Sequence, residues 1–398
     1  MKLLLLPPLL ICCACSLLDT ELPLGRPRIF EHQAMRRTPG KKDVPSPEPS
    51  VPDTTFYVSA VSFPPDYDWQ RDTAYGATAC TLKFYKGANL LLDLPAGPSN
   101  GISPSPDRNH IIGRDLYSEY SSFSHTLVKC NGIQLASWQE REILSGILPV
   151  GGVLHTVGLG PSARWFSYRR NGEVVLKTDA ALLLGGFGSC TYGPTGAVYL
   201  DGRTVCFAYK TTSPGANAAY MVEDGKSRLL MSIPSATFLD IKRIDGVTGV
   251  LYNLSGVSYM DWGGSKVNIS QSGSIFWEEG EILLYDGLPA VIGRYHDHRF
   301  GRSGFGIGWE GGFKSLPGRG DLCYIGPEDN VYSFDLPRPG WEDCFFFNRH
   351  CACIAGGELA AVLTPRRPGA LPYFAFKGDT LRYNIHGFLS GVSVQIGE

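Results

Sequence analysis

The sequence predicts an all-β fold, a β-propeller of seven four-stranded blades, six and eight being the neighbouring counts. Three observations carry this expectation. Glycine and proline are abundant, 48 and 28 in 398 residues, well above the ~12% of an average chain but short of the ~25–30% of low-complexity sequence. Aromatic residues reach 12% while charged residues fall to 19%, the balance of a turn-rich, strand-rich protein. Beyond Thr54 the sequence carries no run of helical periodicity but short alternating segments such as Phe56-Tyr57-Val58-Ser59-Ala60-Val61 and Thr204-Val205-Cys206-Phe207-Ala208-Tyr209, enriched in β-branched and aromatic residues as half-buried strands require.

Between these segments lie two-residue turns of the kind that need positive φ, which Gly and Asn tolerate best. Seven form a series: Lys86-Gly87, Asn131-Gly132, Asn171-Gly172, Asp224-Gly225, Gly263-Gly264, Gly311-Gly312 and Gly356-Gly357. The second glycines are spaced by 45, 40, 53, 39, 48 and 45 residues, the period of a propeller blade. Earlier hairpins supply the other two strands of a period. Leu148–Leu154 turns at Gly151-Gly152, and Ala197–Val205 turns at Asp201-Gly202.

The first blade looks one strand short, and a last hairpin, Tyr373–Tyr383, follows Gly357 closely. The C-terminal segment through Val392-Ser393-Val394-Gln395-Ile396 is therefore expected to complete the first blade and close the ring, which removes exposed sheet edges. The turns lack the Trp-Asp ending of WD40 blades and the placed Tyr and Trp of kelch blades. Ser270–Trp277 is similar to a sialidase Asp-box, but Ser272 stands where the Asp belongs.

A net charge of −2 excludes a strongly basic nucleic-acid surface, and no apolar run reaches the ~18 residues of a spanning helix. The N-terminus reads as an address: Lys2, an apolar stretch from Leu3 to Ile11, then Cys12-Cys13-Ala14-Cys15-Ser16, a secretory signal in outline. Its end resembles the lipobox of bacterial lipoproteins, with Ala14 before Cys15, although Cys12 occupies the position where that family usually has Leu. The resemblance implies a signal peptide over 1–14, lipid attachment at Cys15 and, since Ser16 rather than Asp follows, the outer membrane, facing periplasm or cell surface. Residues 15–53 read as the lipidated Cys and a tether. Seven prolines fall between Leu17 and Asp53, favouring an extended, semi-rigid spacer. Residues 54–398 form the propeller.

Chemistry is sought in the longer loops. Pro64–Gly76 packs Asp66, Tyr67, Asp68, Trp69, Arg71 and Asp72 into one loop. Aromatic faces stack on sugar C–H faces, while carboxylates and Arg hydrogen-bond hydroxyls. The alternative is that Trp69 packs down onto the propeller. In Arg294–Arg299, His296 and His298 flank Asp297, and on a strand both imidazoles share a face. Two ligands do not make a metal site, but the pair could serve as acid and base. Among eight cysteines after Cys15, only Cys344, Cys351 and Cys353 cluster, near His350, so a cross-strand bridge or a zinc site is weighed there against buried thiols. Glycoside hydrolysis needs two carboxylates in one cleft, and Asp66, Asp68, Glu278, Glu279, Glu281, Asp297, Asp335, Glu342 and Asp343 are all available. Phosphate-loop and H-E-x-x-H motifs are absent from the sequence, and no cofactor is expected. The leading expectation is a membrane-anchored binding or scaffold module for a glycan or protein partner. The runner-up is an extracytoplasmic glycosidase or lyase at the channel mouth.

Overall fold

The computed structural model describes residues 54–70, 79–161, 165–179, 181–184, 196–211, 217–269, 274–285, 287–316, 323–325, 331–333, 344–345, 351–355 and 358–396. The chain from Pro52 to Glu398 is one compact unit. The expected signal peptide, Cys15 and the tether all lie outside the described residues, as do Arg71 and Asp72.

Antiparallel sheets of four strands follow one another along the chain, and the fold is a β-propeller. Among the described residues seven such sheets are present. Blade 2 is Asn109–Ile112, Asp115–Ser121, Thr126–Cys130 and Ile133–Trp138; blade 3 is Ile143–Val150, Val153–Leu159, Trp165–Arg170 and Glu173–Asp179. Blade 4 ends with Thr204–Thr211, Ala218–Glu223 and Lys226–Ser232, and its inner strand is broken into Ala181–Leu184 and Tyr199–Asp201, both paired with Thr204–Thr211. Blade 5 is Thr237–Ile244, Val247–Leu254, Val257–Trp262 and Ser265–Val267. Blade 6 has inner pieces Ile275–Trp277 and Glu281–Tyr285, then Leu288–Asp297, Arg302–Trp309 and Gly312–Leu316. Blade 7 has inner pieces Cys344–Phe345 and Ala352–Ala355, then Glu358–Pro365, Tyr373–Phe376 and Asp379–Arg382. A two-stranded hairpin, Cys323–Ile325 with Val331–Ser333, falls between blades 6 and 7 in sequence.

Blade 1 joins the two ends of the chain. Thr54–Ser62, Cys80–Lys86 and Asn89–Ala96 supply three strands, and the C-terminal Gly387–Ile396 pairs antiparallel with Thr54–Ser62 as the innermost one. The missing strand thus comes from the C-terminus, as the short first blade predicted. Ser59 and Ser390, both fully buried, share a 3.0 Å hydroxyl contact across the seam.

The apolar faces of neighbouring blades pack together. Val58 and Ala60 of blade 1 share a core with Val362 and Phe374 of blade 7, and Leu82 and Phe84 share another with Ile111 and Leu116 of blade 2. Phe166 and Tyr168 of blade 3 meet Phe207 and Tyr209 of blade 4. Polar contacts also tie inner strands: Ala197 N donates to Ser145 O at 2.8 Å, and Lys242 Nζ reaches Glu281 Oε1 at 3.2 Å.

Strand alternation gives the propeller two different ends. One carries the turns between the first and second and between the third and outer strands, which are tight two-residue turns. The other, the loop face, carries the links between second and third strands, longer except for the two-residue Ser255-Gly256 turn of blade 5, and the links between blades. Asn131 and Gly132 (φ 51° and 83°), Asn171 and Gly172 (49° and 87°) and Asp224 and Gly225 (47° and 86°) have the paired positive φ of type I′ turns, as the repeat required. Two members of the predicted series shift by one residue, to Gly87-Ala88 and Glu310-Gly311. The seventh is corrected. Gly356-Gly357 lies outside the described residues, between Ala352–Ala355 and Glu358–Pro365, which pair as the first two strands of blade 7. The equivalent turn of that blade is Lys377-Gly378, φ 51° and 88°. The extra chain between blades 6 and 7 had displaced the period.

Candidate functional site at the ring closure

Closing the ring brings three loop-face segments together. Pro65–Gln70 leaves the second strand of blade 1, Pro368–Leu371 leaves the second strand of blade 7, and Asn384–Gly387 leads into the closing strand. They line a groove of about 580 Å³. Backbone hydrogen bonds fix its walls: Phe63 N donates to His386 O at 2.7 Å, and Tyr67 N turns back onto Pro64 O at 3.1 Å. His386 Nε2 contacts Tyr67 O at 2.8 Å, and since a carbonyl only accepts, Nε2 carries the proton. That bond orients the imidazole and leaves Nδ1 for other partners.

Asp66, Asp68, Asn384 and His386 are exposed on this groove, Tyr67 and Gln70 are half-buried, and Leu371 adds an exposed apolar patch. Trp69, expected as a stacking platform, turns inward instead. It is only 7% exposed and packs its ring 5.7 Å from Phe388 and edge-on 6.1 Å from Phe345. The indole's area is spent on the core joining loop, closing strand and blade 7, so it forms groove floor rather than platform. Polar hydrogen-bonding groups, not an open aromatic face, therefore characterise the groove.

A second cavity of about 590 Å³ lies on the other side of the same loop, between Phe63-Pro64, Ala79–Thr81 and Pro95–Asn100. Lys83 and Asp93 pair on its wall. Cys80 also lines it, but burial pushes that thiol up to about 11, which makes it a poor nucleophile.

The histidine pair sits at the loop-face end of blade 6. His296 and His298 do share one side, ring centroids 5.1 Å apart. His296 Nδ1 is 3.1 Å from Ser303 Oγ, which donates to Glu278 Oε1 at 3.4 Å. Asp297 turns away, its carboxylate accepting Arg299 N at 2.9 Å, as short acidic residues do in turns. Among the described residues no group of three metal-binding side chains forms, so the pair is not completed as a metal centre. His350 lies outside the described residues, and the cysteines beside it point to separate partners, Cys344 to the Tyr373 hydroxyl and Cys351 to Leu389 O, each at 3.8 Å. Burial holds the Cys353 thiol at about 11. Of the carboxylates, Glu281 is taken up by Lys242, while Asp335, Glu342 and Asp343 lie outside the described residues. Asp66 and Asp68 are the pair that shares a groove.

Sequence reasoning missed Asn384, His386 and Leu371. Their one sequence signal was position: they precede the segments expected to close and complete the ring.

No family model matches the chain, and no curated protein matches it. Among solved structures it is similar to the β-propeller domain of the Trilobed protease from Pyrococcus furiosus, at 10% identity over 76% of this chain and 86% of that one, with a TM-score of 0.37. It is also similar to acylaminoacyl peptidase from Pyrococcus horikoshii, at 11% identity over 79% of this chain, with a TM-score of 0.36. The match spans 49% of that peptidase, about half its length. The chain is an all-β propeller protein.

Proposed function

We propose that this propeller is a membrane-anchored, extracytoplasmic binding module that takes a glycan in the groove at the ring closure. The observation that supports this most is the lining: Asp66, Asp68, Asn384 and His386 converge, exposed, on one concavity of about 580 Å³. Such groups hydrogen-bond sugar hydroxyls, and Leu371 offers an apolar contact for a sugar C–H face. The lipobox-like Ala14-Cys15 supports an acylated N-terminus at the outer membrane, with the Pro-rich segment as spacer.

A glycan array with analysis of released products tests the reading. Retention of a glycan that Asp66→Ala/Asp68→Ala abolishes, without sugar release, is the expected result. No retained glycan, or time-dependent release of sugars, overturns the binding-module reading. The anchor has a separate test: Cys15→Ala should free the protein from membranes, and continued retention would refute it.

A further inference from the structure

Three residues on the loop face are apolar, exposed and held outward by turns. Phe123, between the second and third strands of blade 2, is 93% exposed. Its turn closes through Ser122 N to His125 O at 2.8 Å and through Ser122 Oγ to His125 Nδ1 at 2.6 Å. Phe300, at the same point of blade 6, is 67% exposed, and Phe300 N donates to Asp297 O at 3.3 Å. Leu371, in the matching loop of blade 7, is 38% exposed beside the turn closed by Ala370 N to Arg367 O at 3.2 Å. Each tip has exposed arginines beside it. Arg141 lies 5.5 Å from the Phe123 ring centre, Arg299 and Arg302 flank Phe300, and Arg366 and Arg367 precede Leu371.

We propose that this face docks on an anionic lipid surface, with Phe123, Phe300 and Leu371 entering the acyl boundary and the arginines meeting headgroups. Two features favour lipid over a protein partner. The tips are separate points on equivalent loops of a ring, so a planar fluid surface can meet them without matching the relief between them. Arginine beside each tip supplies the charge that anionic headgroups attract. A protein hot spot would instead concentrate its aromatics in one packed centre. Among the described residues the acidic side chains near these tips have partners of their own: Glu140 beside Arg141 pairs with Arg169 and Lys177, Asp297 accepts Arg299 N, and Glu278 accepts from Ser303 Oγ. Asp66 and Asp68 belong to the groove, which lies beside the Leu371 tip and would open toward the headgroup layer. The proposal does not depend on Cys15; it shares only Leu371 with the glycan groove, so its tests are placed at Phe123, Phe300 and their arginines.

The test uses the chain without residues 1–15, which removes leader and acylation site and leaves the compact unit from Pro52 onward whole. Sedimentation with vesicles of phosphatidylglycerol and phosphatidylcholine should retain the protein, and phosphatidylcholine alone should retain far less. Phe123→Ser and Phe300→Ser should each weaken retention by about ten-fold or more, with circular dichroism and melting unchanged. Arg299→Gln/Arg302→Gln should weaken it on the anionic vesicles only. Ile133→Ser/Leu229→Ser, on exposed outer strands, should leave it unaltered. Absence of binding to anionic vesicles, binding indifferent to both phenylalanines, or loss through Ile133 and Leu229 would each overturn the proposal.

Discussion

A Cβ placed on Gly225 would lie 2.8 Å from Val175 Cγ1. Gly225 closes the outer turn of blade 4, and Val175 stands on the outer strand of blade 3. The relationship recurs. A Cβ on Gly132 would come 3.0 Å from Leu94 of blade 1, and one on Gly172 would come 3.4 Å from Ala136 of blade 2. The turn repeat is thus also a blade-to-blade contact, and at Gly225, the tightest of the three, closeness as well as φ favours glycine. Gly264, φ 89°, has open space around its missing Cβ.

Gly225→Ala should therefore cost more than Gly264→Ala. Positive φ alone costs about 1 kcal/mol for alanine, and the clash at Gly225 adds about 1–3 kcal/mol. Denaturant midpoints of the two variants check this. Equal midpoints would show that the close approach has no energetic consequence.

The first residue of these turns acts through its side chain. Asn171 Oδ1 accepts Leu154 N at 2.8 Å, Asn131 Oδ1 accepts Leu116 N at 2.9 Å, and Asp224 Oδ1 accepts Val205 N at 3.0 Å. Asn171→Ala should lose about 1–2 kcal/mol, whereas Asn171→Asp keeps the acceptor and should lose less. Thermal unfolding of both variants separates the side-chain bond from φ tolerance.

Trp69→Ala should act on stability. The ring is buried between Phe388 and Phe345, so its removal should cost about 3–5 kcal/mol. Asp66→Ala, at an exposed position, should change stability by under about 0.5 kcal/mol. Urea unfolding of the two variants gives the comparison.

His155 gives stability a pH dependence. It is 6% exposed, its Nδ1 is 2.7 Å from the Tyr168 hydroxyl, and burial lowers its pKa below the usual histidine value. The unfolded chain then binds the proton more readily than the folded one. Stability should be undiminished above the unfolded pKa and should fall as pH drops below ~6.5, by up to ~1.4 kcal/mol per unit until the folded pKa is reached. His155→Gln should flatten this part of the profile between pH 7 and 5.5, measured by urea unfolding.

The repeat was legible because type I′ turns restrict composition so strongly. Asn131-Gly132, Asn171-Gly172 and Asp224-Gly225 announce themselves, and the short first blade announced the closing strand. The broken inner strands of blades 4, 6 and 7 were not legible, since a split within one strand leaves no paired-turn signature. The inward packing of Trp69 was one of two readings the sequence offered, and its partner, Phe388 in the closing strand, decides between them. The groove joins Asp66 and Asp68 to His386, near opposite ends of the sequence, and only the register of Thr54–Ser62 with Gly387–Ile396 brings them together. Local pattern could find one wall and not the other.

The most direct test of the glycan groove is hydrogen exchange on the purified protein, with and without the glycan that the array retains. Protection concentrated in 64–70, 368–371 and 384–387, and lost in Asp66→Ala/Asp68→Ala, is the predicted result. Protection confined to the tight-turn end, or none in these three segments, would contradict the assignment of the ring closure as the binding site.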